Sequence, residues 1–477
     1  MSEPLWTMDA FVAAMSAERR GALPASVSGL SIDTRTLAAG EAFFAIKGER
    51  DGHAFVPAAL QAGAGLAVVA RDKLAEMPQD ARLLVVPDVL EGLNDLARAA
   101  RSRVGAKVIA VTGSVGKTGT KEALRLALGK QGATHASVAS YNNQWGVPLS
   151  LARMPRDVLY GVFEIGMNHA GEITPLTRMV RPHVAIVTAI EPVHLEFFGS
   201  LEAIADAKAE IFLGLEPGGT AVLNRDDAQF ERLSAAARAA GVARIVSFGE
   251  RTGADARLLK VSLQAETSTV EAHILGHDVA YKLGAPGRHV VQNSLAVLTA
   301  ATLAGADLAL AAIALAELKA PVGRGERVSL ELPGGSVVLI DESYNANPAS
   351  MRAALALLGH VPIQRLGRRI AVLGDMLELG PQSPKLHTGL SEAVLESGVD
   401  LVYCAGPLMK SLWDALPSER RGGYADTAAA LEPEVLAAVR AGDAVMVKGS
   451  LGSRMGPLVT ALKRRSLPSG ETALAQG

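Results

Sequence analysis

"VIAVTGSVGKTGTKEALRLALG", residues 108–129, decides how this chain is read. Val108 to Val111 form a short apolar run, the pattern of a buried strand. Gly113 and Gly116 break the run, and from Lys117 onward Ala123, Leu124, Ala127 and Leu128 recur at helical spacing. Strand, Gly-rich turn and helix start bring free backbone N–H groups and the positive end of the helix dipole to one point, which attracts an anion. Lys117 adds a point charge suited to terminal phosphates, and the Thr118 hydroxyl can ligate Mg²⁺. The full pattern G-x-x-x-x-G-K-[ST] needs Gly at 111; here Val111 stands there, and Thr112, Gly113, Ser114, Val115, Gly116, Lys117 and Thr118 spell T-G-x-x-G-K-T. The stretch predicts a nucleotide-phosphate loop, but it does not by itself choose a reaction.

The rest of the chain narrows the setting. At 477 residues it exceeds one ordinary core, so several domains are expected. A hydrophobic fraction of 49% supports well-filled cores. With 47 basic and 49 acidic residues, the net charge of −2 supplies no basic field for nucleic acid or an anionic membrane. Cys404 is the lone cysteine, which rules out an intrachain disulfide and suits a reducing, cytoplasmic compartment. "MSEPLWTMDAFVAAM" lacks the basic start of a signal peptide. The Ala-rich stretch from Ser294 is interrupted by Gly305-Ala306-Asp307 and reads as two helices, not a membrane span. No pairing motif stands out, so a monomer is expected.

The pattern predicts an α/β protein of three domains. Residues 1–104 hold short strands ("EAFFAIKG", "GLAVVA") among Ala-rich helical segments. Over 105–318, "KVIAVTG", "YGVFEIG", "HVAIVTAI" and "GTAVLNRDD" alternate with helices, the sequence form of a mostly parallel sheet. After a hinge at Pro321-Val322-Gly323 the alternation restarts with "SVVLIDE", "RRIAVLGD", "DLVYCAG" and "DAVMVKG", a Rossmann-like unit over 319–477. The tail after Leu467 is expected to fray.

In open α/β sheets ligands sit beyond the carboxyl ends of the strands, so polar residues there carry weight. Glu164 ends "GVFE" and is placed to serve as a Mg²⁺ ligand opposite the phosphate loop. His194 follows the "HVAIVTAI" strand beside Glu191 and Glu196. In "SLEAIADAKAEIF", Leu201, Ile204, Ala205, Ile211 and Phe212 mark one helical stripe, and Lys208 falls on it. Either its stem packs while its amine reaches water, or the amine is buried and needs a partner or a change of charge state. "IDESYNANPASM" crowds Asp341, Glu342, Ser343, Tyr344, Asn345 and Asn347 before Pro348 opens a helix. "VKGSLGSRM" places Lys448, Ser450, Ser453 and Arg454 after another strand, a cluster suited to a carboxylate or phosphate.

"TGSVGKTGTKE", "YNNQWGVPLSL", "EIGMNHAGEI", "HLEFFGSLEAIADAKAEIF", "GRHVVQN", "DESYNANPASM" and "VLGDMLELG" resemble, in order, motifs of the Mur ligase family. "SIDTRTLAAGEAFFAIKGERDGHAF" is similar to its amino-terminal UDP-sugar domain. The resemblance implies that ATP phosphorylates the terminal carboxylate of a UDP-N-acetylmuramoyl-tripeptide. The amine of D-alanyl-D-alanine then attacks the acyl phosphate, giving the pentapeptide used in peptidoglycan synthesis. It also implies site residues. Thr112 to Thr118 cradle the ATP phosphates, Thr118 and Glu164 hold one Mg²⁺, and His194 a second. Lys208 is carbamylated and supports the second ion, and Lys117, Lys208 and His194 are the catalytic set. Asn293 lies near adenine, Arg324 reaches the nucleotide from the third domain, and Asp341 or Glu342 meets the ribose. Asp33, Thr34, Arg35, Lys47, Gly48, Gly52 and His53 belong to the UDP-sugar side, with Asn142 and Asn143 on the muramoyl side. Tyr344, Asn345, Asn347, Lys448 and Ser450 complete the substrate set. Because Arg324 lies just past the hinge, the third domain is expected to close on the second. A folylpolyglutamate-type ligase shares the phosphate loop but should lack the UDP-sugar segment and the "YNANP" form. An ordinary P-loop kinase or ATPase would need no amine acceptor.

Overall fold

The computed structural model describes residues 4–466 except 49, 139, 194, 265, 321, 322 and 365. Among the described residues the strands form three larger sheets and one two-stranded ribbon. The first larger sheet runs in space Glu18–Arg20, Leu83–Val86, Leu66–Ala70, Ala42–Phe44, Leu30–Ser31. All its pairings are parallel except that of the Glu18–Arg20 edge.

The central sheet runs His277–Leu283, Ser268–Ile274, Ala256–Leu263, Arg244–Gly249, Thr220–Asn224, Val184–Val187, Lys107–Thr112, Tyr160–Glu164, Thr134–Ala136. Its pairings from Thr134–Ala136 to Ala256–Leu263 are parallel, and the last two are antiparallel. The antiparallel extension is a departure from the plain strand–helix alternation. Ser268–Ile274 alternates buried and exposed residues, as expected where one sheet face is covered and the other meets water.

Lys107–Thr112 is packed on both of its faces. Ile109 and Val111 enter the core under the helices Lys117–Gly129 and Arg288–Leu303. Val108 and Ala110 enter the opposite core with Phe163, Ile204 and Phe212. All four strand residues are fully buried. A fully buried Val or Ile contributes about 1.5–3 kcal/mol, so the strand that carries the phosphate loop is held from both faces. The Ala-rich stretch from Ser294 is split between two helices, Arg288–Leu303 and Leu308–Ala314. No helix among the described residues is long and apolar enough to cross a membrane.

The third sheet runs Glu326–Leu332, Gly335–Glu342, Ala444–Lys448, Arg369–Gly374, Leu401–Ala405, Arg421–Ala425, parallel except for its first hairpin. Pro321 and Val322 of the expected hinge lie outside the described residues, as does the tail from 467. Hydrogen bonds from side chains and backbone tie the units together. Arg153 donates to the Leu30 carbonyl at 2.8 Å, and the Trp6 indole to the Ala152 carbonyl at 2.9 Å. The Glu196 N–H donates to the Glu378 carbonyl at 3.3 Å, joining the central and third units.

Candidate active site

The carboxyl ends of two sheets face one cavity of about 570 Å³. The central sheet contributes Ser114 to Lys117 after Lys107–Thr112, Glu164 at the end of Tyr160–Glu164, and Asn224 at the end of Thr220–Asn224. The third sheet contributes Glu342 and Lys448, each the last residue of its strand. Arg324, Tyr344, Asn345 and Asn347 line the same space.

The phosphate loop has the backbone its glycines allow. Gly113 has φ +146° and Gly116 φ +86°, left-handed values that disfavour a side chain. A Cβ on Gly113 would overlap the Thr188 hydroxyl, and one on Gly116 would lie 2.5 Å from the Asn293 amide nitrogen. Val111 needs no such freedom, because it is still an extended strand residue paired in register. Lys117, the first helical residue, folds its ammonium over the loop and donates to the Gly113 carbonyl at 2.7 Å. Burial pushes its pKa down, while the Glu164 carboxylate opposes that shift and Arg324 adds to it.

Thr118 and Glu164 meet although 46 residues apart: the Thr118 hydroxyl donates to Glu164 Oε2 at 2.9 Å. The other oxygen, Oε1, accepts from Asn142 Nδ2 at 2.7 Å. Both Thr118 and Glu164 are buried. A hydroxyl and a carboxylate are hard oxygen donors, the kind Mg²⁺ takes while keeping water and phosphate oxygens in its other positions. Among the described residues no group of three or more His, Cys, Asp or Glu could hold a metal by itself. His194 lies outside the described residues.

Lys208 is 1% exposed on the helix Leu201–Ala209. Burial holds its pKa well below the ordinary lysine value, and the nearby Lys117 charge lowers it further. Of the two readings of its stripe position, the buried amine is the one found.

Other expected residues are placed as follows. Asn293 stands beside the phosphate loop and lines the cavity. Arg324 stacks over the Tyr344 ring at 4.3 Å and donates to the Ser140 hydroxyl at 3.2 Å. The adjacent acids divide. Asp341 is turned inward, where Oδ1 accepts from the Ser343 N–H and hydroxyl at 3.1 and 2.6 Å. Glu342 faces the cavity and pairs with Lys448 at 3.0 Å. Asn347 caps the helix Pro348–Gly359 through a reciprocal bond pair with Ser350. Ser450 is buried; its hydroxyl accepts from the Leu377 N–H at 3.0 Å and is outside the cavity lining.

The first domain's residues form a separate group. Asp33 and Arg35 pair at 2.6 Å, and the Arg35 guanidinium keeps the Asp33 carboxyl below its usual range. Thr34 lies between them in the same turn. Lys47 and His53 line a second cavity of about 490 Å³. His53 is buried, with Nδ1 on Asp51 at 2.6 Å and Nε2 accepting from the Ala70 N–H at 2.9 Å, so it braces the loop. A Cβ on Gly52 would lie 2.5 Å from the Ile46 carbonyl oxygen, and one on Gly48 3.1 Å from the Trp145 ring. Asn143 Oδ1 accepts from the Gly146 N–H at 2.9 Å, at the start of the helix Gly146–Ala152.

Sequence reasoning passed over Ser140 and His289, which also line the main cavity. His289 is in the first turn of the helix Arg288–Leu303, which starts after Gly287 at φ +112°.

Comparison with known proteins agrees over most of the chain. A model described as "Mur ligase family, catalytic domain" matches residues 26–101, "Mur ligase middle domain" 111–301, and "Mur ligase, glutamate ligase domain" 323–451. The UDP-N-acetylmuramoyl-tripeptide–D-alanyl-D-alanine ligase of Escherichia coli (strain K12) is 35% identical, with 92% of this chain and 94% of that one covered. Its counterpart in Rickettsia prowazekii is 32% identical over 90% and 94%. A crystal structure of MurF from Acinetobacter baumannii superposes with a TM-score of 0.82 at 30% identity, covering 97% of this chain and 99% of that one. A MurF ligase from Thermotoga maritima in complex with ADP gives 0.74 at 26% identity, covering 92% and 97%.

Proposed function

This chain belongs to the Mur ligase family, and from that premise we infer that it is the ATP-dependent ligase joining D-alanyl-D-alanine to UDP-N-acetylmuramoyl-tripeptide. The observation that carries the reading is one cavity holding the phosphate loop, the Thr118–Glu164 pair and, from the facing sheet, Arg324, Glu342 and Lys448. A carboxylate is a poor electrophile until one oxygen becomes part of a good leaving group. Transfer of the γ-phosphoryl group forms a carboxylate O–P bond, breaks the β–γ bridge and releases ADP. Attack by the dipeptide amine on the carbonyl carbon then forms the amide, expels phosphate and frees a proton.

Each step brings anions together, so the chain has to supply positive potential. Lys117 and the helix N-terminus stand where phosphate charge builds up, and Arg324 adds a guanidinium from the third domain. Thr118 and Glu164 would hold a Mg²⁺, which when bound neutralises phosphate charge. We assign a second Mg²⁺ to His194 and a carbamylated Lys208. The depressed Lys208 pKa favours the free amine, the form that adds CO₂ and loses a proton, and the carbamate oxygens would answer its burial. Glu342, not the inward Asp341, is the carboxylate we assign to the nucleotide ribose, with Asn293 toward adenine. Asp33, Arg35, Lys47, Gly48 and the loop braced by His53 take the UDP-sugar, within domains of 1–104, 105–318 and 319–477. A monomer in the cytoplasm completes the reading.

The test is an omission series: phosphate release is followed with ATP, UDP-muramoyl-tripeptide and D-alanyl-D-alanine, each left out in turn. Release that needs all three supports the ligase. Release without the dipeptide would point to a kinase or ATPase instead.

A further inference from the structure

Residues 372–380, "VLGDMLELG", line neither of the two cavities described above. Their backbone is nonetheless pinned. The Met376 N–H donates to Nε2 of the buried His387, and the Leu377 N–H to the buried Ser450 hydroxyl, both at 3.0 Å. Asp375 Oδ1 accepts from the Met409 N–H at 2.8 Å. Met376 and Leu379 enter the core of the third unit. Between them Glu378 has φ +61°, a left-handed value uncommon for a residue with a side chain. Held this way, the turn from Glu378 to Gly380 meets the central unit at the helix Leu195–Phe198.

The meeting is defined atom by atom. The first N–H groups of a helix have no acceptor within it. Glu196 is the second residue of Leu195–Phe198, and its N–H finds the Glu378 carbonyl of the other unit at 3.3 Å. Gly380, at φ +58°, lies so close that a Cβ there would stand 3.3 Å from the Glu196 Cα. The helix is also rooted on its own side. Leu195 and Phe198 pack on the central core, and the Phe197 ring lies 4.8 Å from that of His169. Upstream, Glu191 lines the main cavity, and its carbonyl and N–H each bond the Ser114 hydroxyl of the phosphate loop at 3.0 Å. The chain from Glu191 to Phe198 thus joins the phosphate loop at one end to the third unit at the other. Resting on the ligase reading above, we propose that Gly380 is a positioning residue. By admitting Glu196 against the turn Glu378–Gly380, it lets the third unit hold the Glu191–Phe198 segment where the reaction needs it.

The experiment compares Gly380→Leu with Gly398→Leu. Gly398 belongs to the same unit and shares the left-handed backbone, at φ +61°, but nothing lies within 4 Å of where its Cβ would stand. Backbone strain is common to the two variants, whereas only Gly380→Leu drives a wedge between the units. Amide hydrogen exchange at Glu196 should quicken about tenfold in Gly380→Leu and keep the wild-type rate in Gly398→Leu. The kcat for phosphate release with all three substrates should fall about tenfold in the first and stay within about twofold of the wild type in the second. Equal kcat in the two variants, or quicker exchange at Glu196 with wild-type kcat in Gly380→Leu, would overturn the proposal. Should Gly380→Leu not fold, Gly380→Ala against Gly398→Ala makes the same comparison. Exchange separates this from failure of the ligase reading. A wild type that releases no phosphate counts against that reading, and an unchanged Glu196 rate in Gly380→Leu counts against the positioning contact.

Discussion

Arg324 of the third unit donates to the hydroxyl of Ser140 in the central unit at 3.2 Å, with its guanidinium stacked on Tyr344 at 4.3 Å. The residue just past the expected hinge therefore stands in the phosphate cavity, where its charge lowers the Lys117 pKa. Arg324→Ala should raise the KM for ATP and lower kcat. Arg324→Lys should recover only part, because an ammonium lacks the planar face that stacks on Tyr344. Steady-state kinetics checks this; full recovery by lysine would leave only a charge effect. In solution, an ATP analogue with UDP-muramoyl-tripeptide should shrink the radius of gyration of the wild type if closure accompanies binding, as small-angle scattering would show.

Lys117→Ala should abolish phosphate release while leaving the fold intact. The lost contact lies where phosphate charge develops, and removing one such donor costs roughly 3 kcal/mol or more of transition-state stabilisation. Circular dichroism and the omission assay together check it. Near-normal turnover would end the assignment.

Lys208→Ala should lose most activity, and formate or acetate should restore part of it by supplying the missing carboxylate. Depleting CO₂ should lower wild-type activity without affecting the variant. If the variant works normally, Lys208 is only a buried packing residue and carries no carbamate.

Glu191 gives a stability prediction. Burial raises its pKa above the ordinary 4.5, and the neighbouring Asp227 raises it further. The folded state then holds this proton more tightly than the unfolded chain does. Stability is therefore lost as pH rises from the ordinary value through the raised one. Glu191→Gln should be more stable than the wild type at neutral pH, and the two should converge below about pH 4.5. Melting curves across pH 3.5–7.5, a range set around the shift, provide the measurement. A variant less stable at pH 7 would show that the carboxylate makes a favourable contact in its ionised form.

The sequence by itself determined the phosphate loop, the parallel strands around it and the helix face on which Lys208 lies, while the burial of its amine was decided by the fold. These are local or periodic properties: Gly113 and Gly116 set a backbone, Val108–Val111 a buried strand, and a helical stripe the face on which Lys208 lies. Tertiary structure alone decided which distant groups meet. Thr118 reaches Glu164 because Lys107–Thr112 and Tyr160–Glu164 are neighbours in the sheet, and strand order is not written in either segment. It likewise turned Asp341 inward to Ser343 and left Glu342 to pair with Lys448, since adjacent residues of a strand point to opposite faces. The antiparallel ribbons after Arg244–Gly249 and the contact of Trp145 with Gly48 belong to the same class. Each depends on where a surface finds its cover, and that is fixed only when the whole chain is packed.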